Sequence, residues 1–285
     1  MGLLDVSLER LLTALKILVD EGIIPEAEGY INLFIEDPKI RKRLKDHIQA
    51  SINITLPYEN AKSILSTENF WGPHEWINHG VKFTEEQFNQ VLNFPWGKEV
   101  LELSCPFLEG MPVRRRHLGF LGVHNVEGRN LTIDRWEEEQ VLGKFNMRCN
   151  PSDLRYKNPF KKTTTGLRWY LIYHSHVPES RDKTYAEQVS LLPKEYEVPK
   201  AAVAFTMLML FKRKNCAKEG SSMMFRCSDN LSEKNKHITV GCNKAGMIEA
   251  KIVDDNRTDH NLGILASRKL PVAAKSVKSK KKEDG

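Results

Sequence analysis

The sequence predicts an α+β protein: a helical N-terminal part followed by an antiparallel β-sheet with one buried helix packed on it. Three observations carry this. Residues 201–211 read AAVAFTMLMLF, apolar on every face, and Lys212-Arg213-Lys214 closes the run with positive charge where the helix dipole favours it. Four short strand patterns follow at 223–227, 237–242, 247–253 and 262–266, separated by Gly, Asn, Asp and Ser. The first fifty residues instead carry apolar side chains at the helical spacings of three and four.

Leu4, Leu8, Leu11, Leu12, Leu15, Leu18 and Val19 form the first apolar stripe, and Gly22 stops it. Pro25 opens a second helix with Tyr30, Leu33 and Phe34. Asp37-Pro38 caps a third with Ile40, Leu44 and Ile48 on one face and Arg41, Lys42, Arg43 and Lys45 elsewhere. Residues 58–93 read as helical, interrupted by Trp71-Gly72-Pro73 and His79-Gly80. Within them Thr84-Glu85-Glu86-Gln87 fits a capping box for a helix burying Phe83, Phe88, Val91 and Leu92.

The texture changes at residue 94, where Pro95, Gly97, Pro106, Gly110 and Pro112 punctuate strand-like runs at 100–103 and 118–123. We therefore place a domain boundary near Asn93, giving a helical region over 1–93, an α+β domain over 94–270 and a lysine-rich tail over 271–285. Residues 125–130 read as a hairpin turn leading into Leu131-Thr132-Ile133. A long polar loop is expected over 150–165, then a strand at 168–174 (RWYLIYH) and a short helix from Asp182-Lys183-Thr184 to Leu191. Pro193 and Pro199 bracket the approach to the buried helix.

Composition narrows the class. Hydrophobic residues at 40% and charged ones at 28% suit a globular chain with a sound core. The longest apolar run falls far short of the roughly 20 residues a membrane span needs, so no membrane is expected. Asp5, Glu9 and Arg10 interrupt the first apolar stretch, unlike a secretory signal. The five cysteines, Cys105, Cys149, Cys216, Cys227 and Cys242, are scattered without a CxxC, which predicts reduced thiols in a cytoplasmic protein. Of the net charge of +6, half lies on the tail, where five lysines face two acids. The body is close to neutral, unlike a dedicated duplex-binding domain.

Common catalytic loops are missing from the sequence: there is no GxSxG, no GxxxxGK[ST] and no GxGxxG after a strand. His74-Glu75-Trp76-Ile77-Asn78-His79 comes nearest to a zinc helix, but its histidines are five apart, about 140° around a helix. Aromatic packing by Trp71 and Trp76 explains it better. His174 and His176 alternate along the predicted strand and so would share a face. With Asp254, Asp255, Asp259 and His260 they make a candidate metal set for a hydrolase. That acidic segment lacks the Gly and Glu of a calcium loop, and reads first as a self-capping turn. Arg114, Arg115, Arg116, Lys161 and Lys162 are the candidate nucleic-acid contacts, set against the plainer reading of local charge punctuation.

Four segments, Cys105 to Gly110 (CPFLEG), 184–199 (TYAEQVSLLPKEYEVP), Arg226-Cys227-Ser228-Asp229 and 254–269, together resemble a family of bacterial proteins with no assigned activity. The resemblance covers 94–270. It implies a single unit there and a cytoplasmic bacterial setting, and it assigns no catalytic residue. The expected function is accordingly a non-enzymatic interaction or regulatory protein that binds another macromolecule, foremost a protein, without a cofactor. A nucleic-acid-binding accessory protein is the first alternative and a metal-dependent hydrolase the second.

Overall fold

In the computed structural model, residues 55–139, 162–215, 223–230, 235–243 and 248–271 are described. The three front helices expected before residue 50, the basic run Arg41 to Lys45, Lys161, Cys149, Cys216 and the lysine-rich tail lie outside them. Residues 55–271 form one compact unit.

Strand β1 (Leu56–Pro57) leads into helix α1 (Tyr58–Leu65) and, after a single 3-10 turn, β2 (Phe70–Trp71). Helices α2 (Pro73–Ile77) and α3 (Glu85–Val91) follow, with the breaks where Gly72-Pro73 and His79-Gly80 predict them. Thr84 Oγ1 accepts the Gln87 N–H at 3.2 Å and Gln87 Oε1 accepts the Thr84 N–H at 3.0 Å, the reciprocal cap read from the sequence. Of the side chains expected to be buried by α3, Val91 is buried while Phe83, Phe88 and Leu92 are half-buried.

The strand expected at 100–103 is instead helix α4 (Lys98–Glu102), preceded by β3 (Asn93–Phe94). Gly97 supplies the extended residue before it, and Lys98, Glu99 and Leu101 are good helix formers. Helix α5 (Val113–Arg116) runs straight into β4 (His117–Gly122). Strands β5 (Asn125–Val126) and β6 (Arg129–Asn130) make the expected hairpin. Its two loop residues, Glu127 at φ 51° and Gly128 at φ 78°, take the left-handed pair that a tight hairpin turn requires. Helix α6 (Ile133–Glu139) follows.

Strand β7 (Arg168–Tyr173) pairs along its whole length with β4, antiparallel. Helix α7 (Tyr185–Ser190), β8 (Tyr196–Glu197) and helix α8 (Ala201–Asn215) complete the middle of the chain. Strands β9 (Met223–Asn230), β10 (Lys236–Cys242), β11 (Ile248–Asp254), β12 (Leu262–Ile264) and β13 (Ser267–Arg268) end it.

Two sheets result. One runs β11-β10-β9-β12, antiparallel except that β12 lies parallel to β9. The other runs β2-β4-β7-β13-β8, with β2 parallel to β4. The α+β class is as the sequence predicts, with mixed edges added to antiparallel cores. Residue 93 falls inside this unit, and β2, which precedes it, is a strand of the second sheet.

Helix α8 packs against β9, β10 and β11 of the first sheet and against β4 of the second. That double contact is why its sequence has no polar stripe: residues 201–211 are all buried. The helix reaches beyond the predicted stop to Asn215. Phe211, at φ −122° and ψ 17°, breaks the helical dihedrals where the sequence places the end. Phe211 meets Phe120 of β4 edge-on, with ring centroids 6.3 Å apart. No described helix is long and apolar enough to cross a membrane.

Candidate functional site

A concavity of about 790 Å³ opens between β7, the segment from α7 to β8, and the entrance of α8. The ends of its walls come from the loop before β7 and from β13. Gly122 of β4 allows the first of these to come close, since a Cβ there would lie 2.7 Å from Thr165 Oγ1 and 2.8 Å from the Gly166 carbonyl. Thr165 Oγ1 donates to the Val123 carbonyl at 3.1 Å, and Tyr170 OH donates to the Thr165 carbonyl. These bonds fix the β7 side of the cleft.

The opposite wall is set by a cap. Thr184 opens α7 by accepting the Glu187 N–H, while Glu187 Oε2 accepts the Thr184 N–H at 2.8 Å. The helix then presents Val189 to the cleft, 39% exposed, with Leu192 and Pro193 half-buried beyond it. The floor leads to α8, whose first N–H is accepted by Asp229 of β9; the Ser228 N–H donates to the Pro199 carbonyl at 3.0 Å. Burial pushes the Asp229 carboxyl up from its ordinary value.

Electrostatically the cleft is positive. Arg168, Lys194, Lys200 and Lys269 line it, against one lining carboxylate, Glu197, and Glu195 beside the cleft, 3.8 Å from Lys194 Nζ. Arg168 reaches Glu197 at 3.6 Å and lies over the Tyr170 ring, 4.6 Å from its centroid. Lys269 Nζ donates to the Lys194 carbonyl at 2.7 Å. The three tyrosines, Tyr170, Tyr185 and Tyr196, are each pushed up to about 12, first by burial. On the rim, His124 Nδ1 lies 3.2 Å from Thr164 Oγ1.

The candidate metal residues do not converge. Strand β7 ends at Tyr173, so His174 and His176 lie beyond the regular alternation that would give them a common face. The His174 ring stacks on Tyr173, and its backbone N–H donates to the Arg116 carbonyl. His176 is buried, with Nε2 2.9 Å from the Met224 carbonyl and Nδ1 accepting from Arg181 at 3.2 Å; burial lowers it to about 4. Asp254 and Asp259 accept the N–H groups of Asn256 and Asn261 at 2.8 and 2.9 Å, as self-capping turn residues do. Asp255 Oδ1 faces His237 Nδ1 at 2.5 Å, and His260 Nδ1 faces Asp182 at 3.1 Å. Among the described residues no three His, Cys, Asp or Glu stand close enough to hold a metal. In His74-Glu75-Trp76-Ile77-Asn78-His79, His74 Nδ1 is 2.5 Å from Tyr58 OH, Glu75 pairs with Lys62, and His79 stacks on Trp71.

The basic candidates are dispersed. Arg114 pairs with Glu102 at 2.9 Å, Arg115 is exposed and Arg116 half-buried, all on α5 and none lining the cleft. Lys162 is exposed, two residues before the cleft residue Thr164.

Other reactive groups are spent on structure. His117 is fully buried, lowered to about 3 by burial, with Nδ1 3.0 Å from the Val113 carbonyl and Nε2 3.1 Å from Tyr196 OH. Burial raises the Cys105 and Cys227 thiols, both free. Cys242 is disulfide-bonded, a departure from the expectation of reduced thiols throughout. Arg226, without exposure, donates to the carbonyls of Lys183, Asp254 and Arg257 and to Gln188 Oε1, tying β9 to α7 and to the turn after β11.

The four cleft cations, Arg168, Lys194, Lys200 and Lys269, were missed by the sequence because they come singly from four separate segments. Runs of basic residues draw the eye, but here isolated ones converge. No protein-family model matches this chain, and no curated protein or solved structure does.

Proposed function

We propose that the chain is a non-enzymatic interaction protein that holds another macromolecule in the cleft between β7, β8 and α7. The observation that carries the reading is the lining: four cations and one carboxylate around an open concavity with an aliphatic wall. Such a lining attracts an anionic partner and has apolar surface to bury once the partner arrives.

The placement of the reactive side chains also favours binding over reaction. A general base must reach the proton it takes, and an attacking cysteine must be a thiolate. His117 and His176 have both ring nitrogens engaged inside the fold. Cys105 and Cys227 are buried, and burial favours their protonated form.

The nucleic-acid reading draws on the same positive lining, with Lys162 nearby. Purified protein titrated with labelled polyglutamate and with labelled oligothymidylate tests the proposal. Salt-sensitive binding of either probe, weakened in a Lys194→Gln/Lys200→Gln variant, is expected. Binding of neither, or binding indifferent to that variant, overturns the proposal.

A further inference from the structure

We infer that the partner held in the cleft is a protein presenting an extended acidic segment that carries aliphatic side chains, an inference that rests on reading the cleft as the binding site. Proteins that hold single-stranded nucleic acid pair a positive groove with exposed aromatic faces on which bases stack. The positive groove is present, but the faces of its three tyrosines are taken, which leaves the small His124 imidazole as the exposed ring of the lining. Tyr170 is stacked on Phe120 at 5.1 Å and 21°, and Arg168 covers it from 4.6 Å. Tyr185 lies against His237 with centroids 3.8 Å apart. Tyr196 is buried among Phe107, His117 and Arg268.

What the cleft offers in place of rings is methyl groups. Val189 is among the few large apolar side chains left exposed in the described structure, and it faces the same concavity as the lysines. A sugar-phosphate backbone has nothing to bury there. An extended peptide does: its side chains alternate sides at about 3.3 Å per residue, so successive ones can address different parts of the lining. Aliphatic side chains then meet Val189 and Leu192, while the intervening acids meet Lys194, Lys200 and Lys269. Glu197, paired with Arg168, repels an acid placed opposite it and so helps fix the register.

Three labelled probes of equal length separate the outcomes by fluorescence anisotropy: alternating Glu and Leu, all Glu, and oligothymidylate. The Glu/Leu peptide is expected to bind tightest. Val189→Ser should weaken it about fivefold, from the loss of one partly buried aliphatic contact, and leave the all-Glu peptide unchanged. Lys194→Gln/Lys200→Gln should weaken both peptides, by about fivefold for two exposed charge contacts. Val189→Thr, which keeps the shape but puts a hydroxyl in place of one methyl, serves as a second test of the apolar contact, and all variants are checked for an unchanged Tm. If oligothymidylate binds tightest, or if neither Val189 variant affects the Glu/Leu peptide, the peptide inference is overturned while the cleft survives as a binding site. If the double lysine variant binds every probe as the wild type does, the cleft itself is overturned.

Discussion

Ser66 ends α1 at φ 71° and ψ 151°, a region that side-chain-bearing residues rarely occupy. The position is exposed, so no packing contact argues for serine there. Ser66→Gly should therefore raise stability by about 1 kcal/mol. This combines about 1–3 kcal/mol of relieved strain with about 0.5–1 kcal/mol of added chain entropy in the unfolded state. A higher urea midpoint with an unchanged slope is the expected result, and a lower midpoint contradicts it. At the same scale, much of the local chemistry was legible in the sequence. Thr84 and Gln87 close the cap their spacing predicts, and Asp254 and Asp259 cap the backbone of their own turn. The fate of His176 was not legible, because its two partners, the Met224 carbonyl and Arg181, depend on how β9 and the loop after β7 meet.

Among the elements, α8 was the clearest from sequence, since a helix apolar all round must be enclosed. What the sequence could not supply was the second enclosing sheet, whose strands β2, β8 and β13 are two residues long and carry no period. Helix α4 was misread as a strand for the related reason that a single turn shows no helical repeat. The entrance of α8 depends on Asp229, which accepts the Ala201 N–H from a neighbouring strand. Asp229→Ala should cost about 1–2 kcal/mol, the range for losing a helix cap. Asp229→Asn, which keeps an accepting oxygen, should cost less. Equal losses for the two variants would show that the carboxylate charge, rather than the cap, is what matters.

For the molecule as a whole, two buried histidines make stability depend on pH. His117 is lowered to about 3 and His176 to about 4, both from 6.5. Below about pH 6.5 the unfolded chain binds protons that the folded chain does not, so stability is full above that value and falls on acidification. Each group contributes at most about 1.4 kcal/mol per pH unit across its window. The raised carboxyl of Asp229 acts in the opposite sense, though as one group against two. Tm should fall between about pH 7 and about pH 5, and His176→Gln should flatten that fall; a rise in Tm on acidification contradicts the assignment.

The cleft belongs to this largest scale as well. Arg168, Lys194, Lys200 and Lys269 are set by β7, the α7–β8 connection, the α8 entrance and β13, so only the assembled fold makes them neighbours. We propose that the partner binds this surface and no other on the described fold. Amide hydrogen exchange on the full chain, with and without the alternating Glu/Leu peptide, tests it most directly. Exchange should slow only at residues 163–170 and 189–203, with no change at 113–116 or 254–261. Protection at either of those last two segments, with the cleft unaffected, would contradict it.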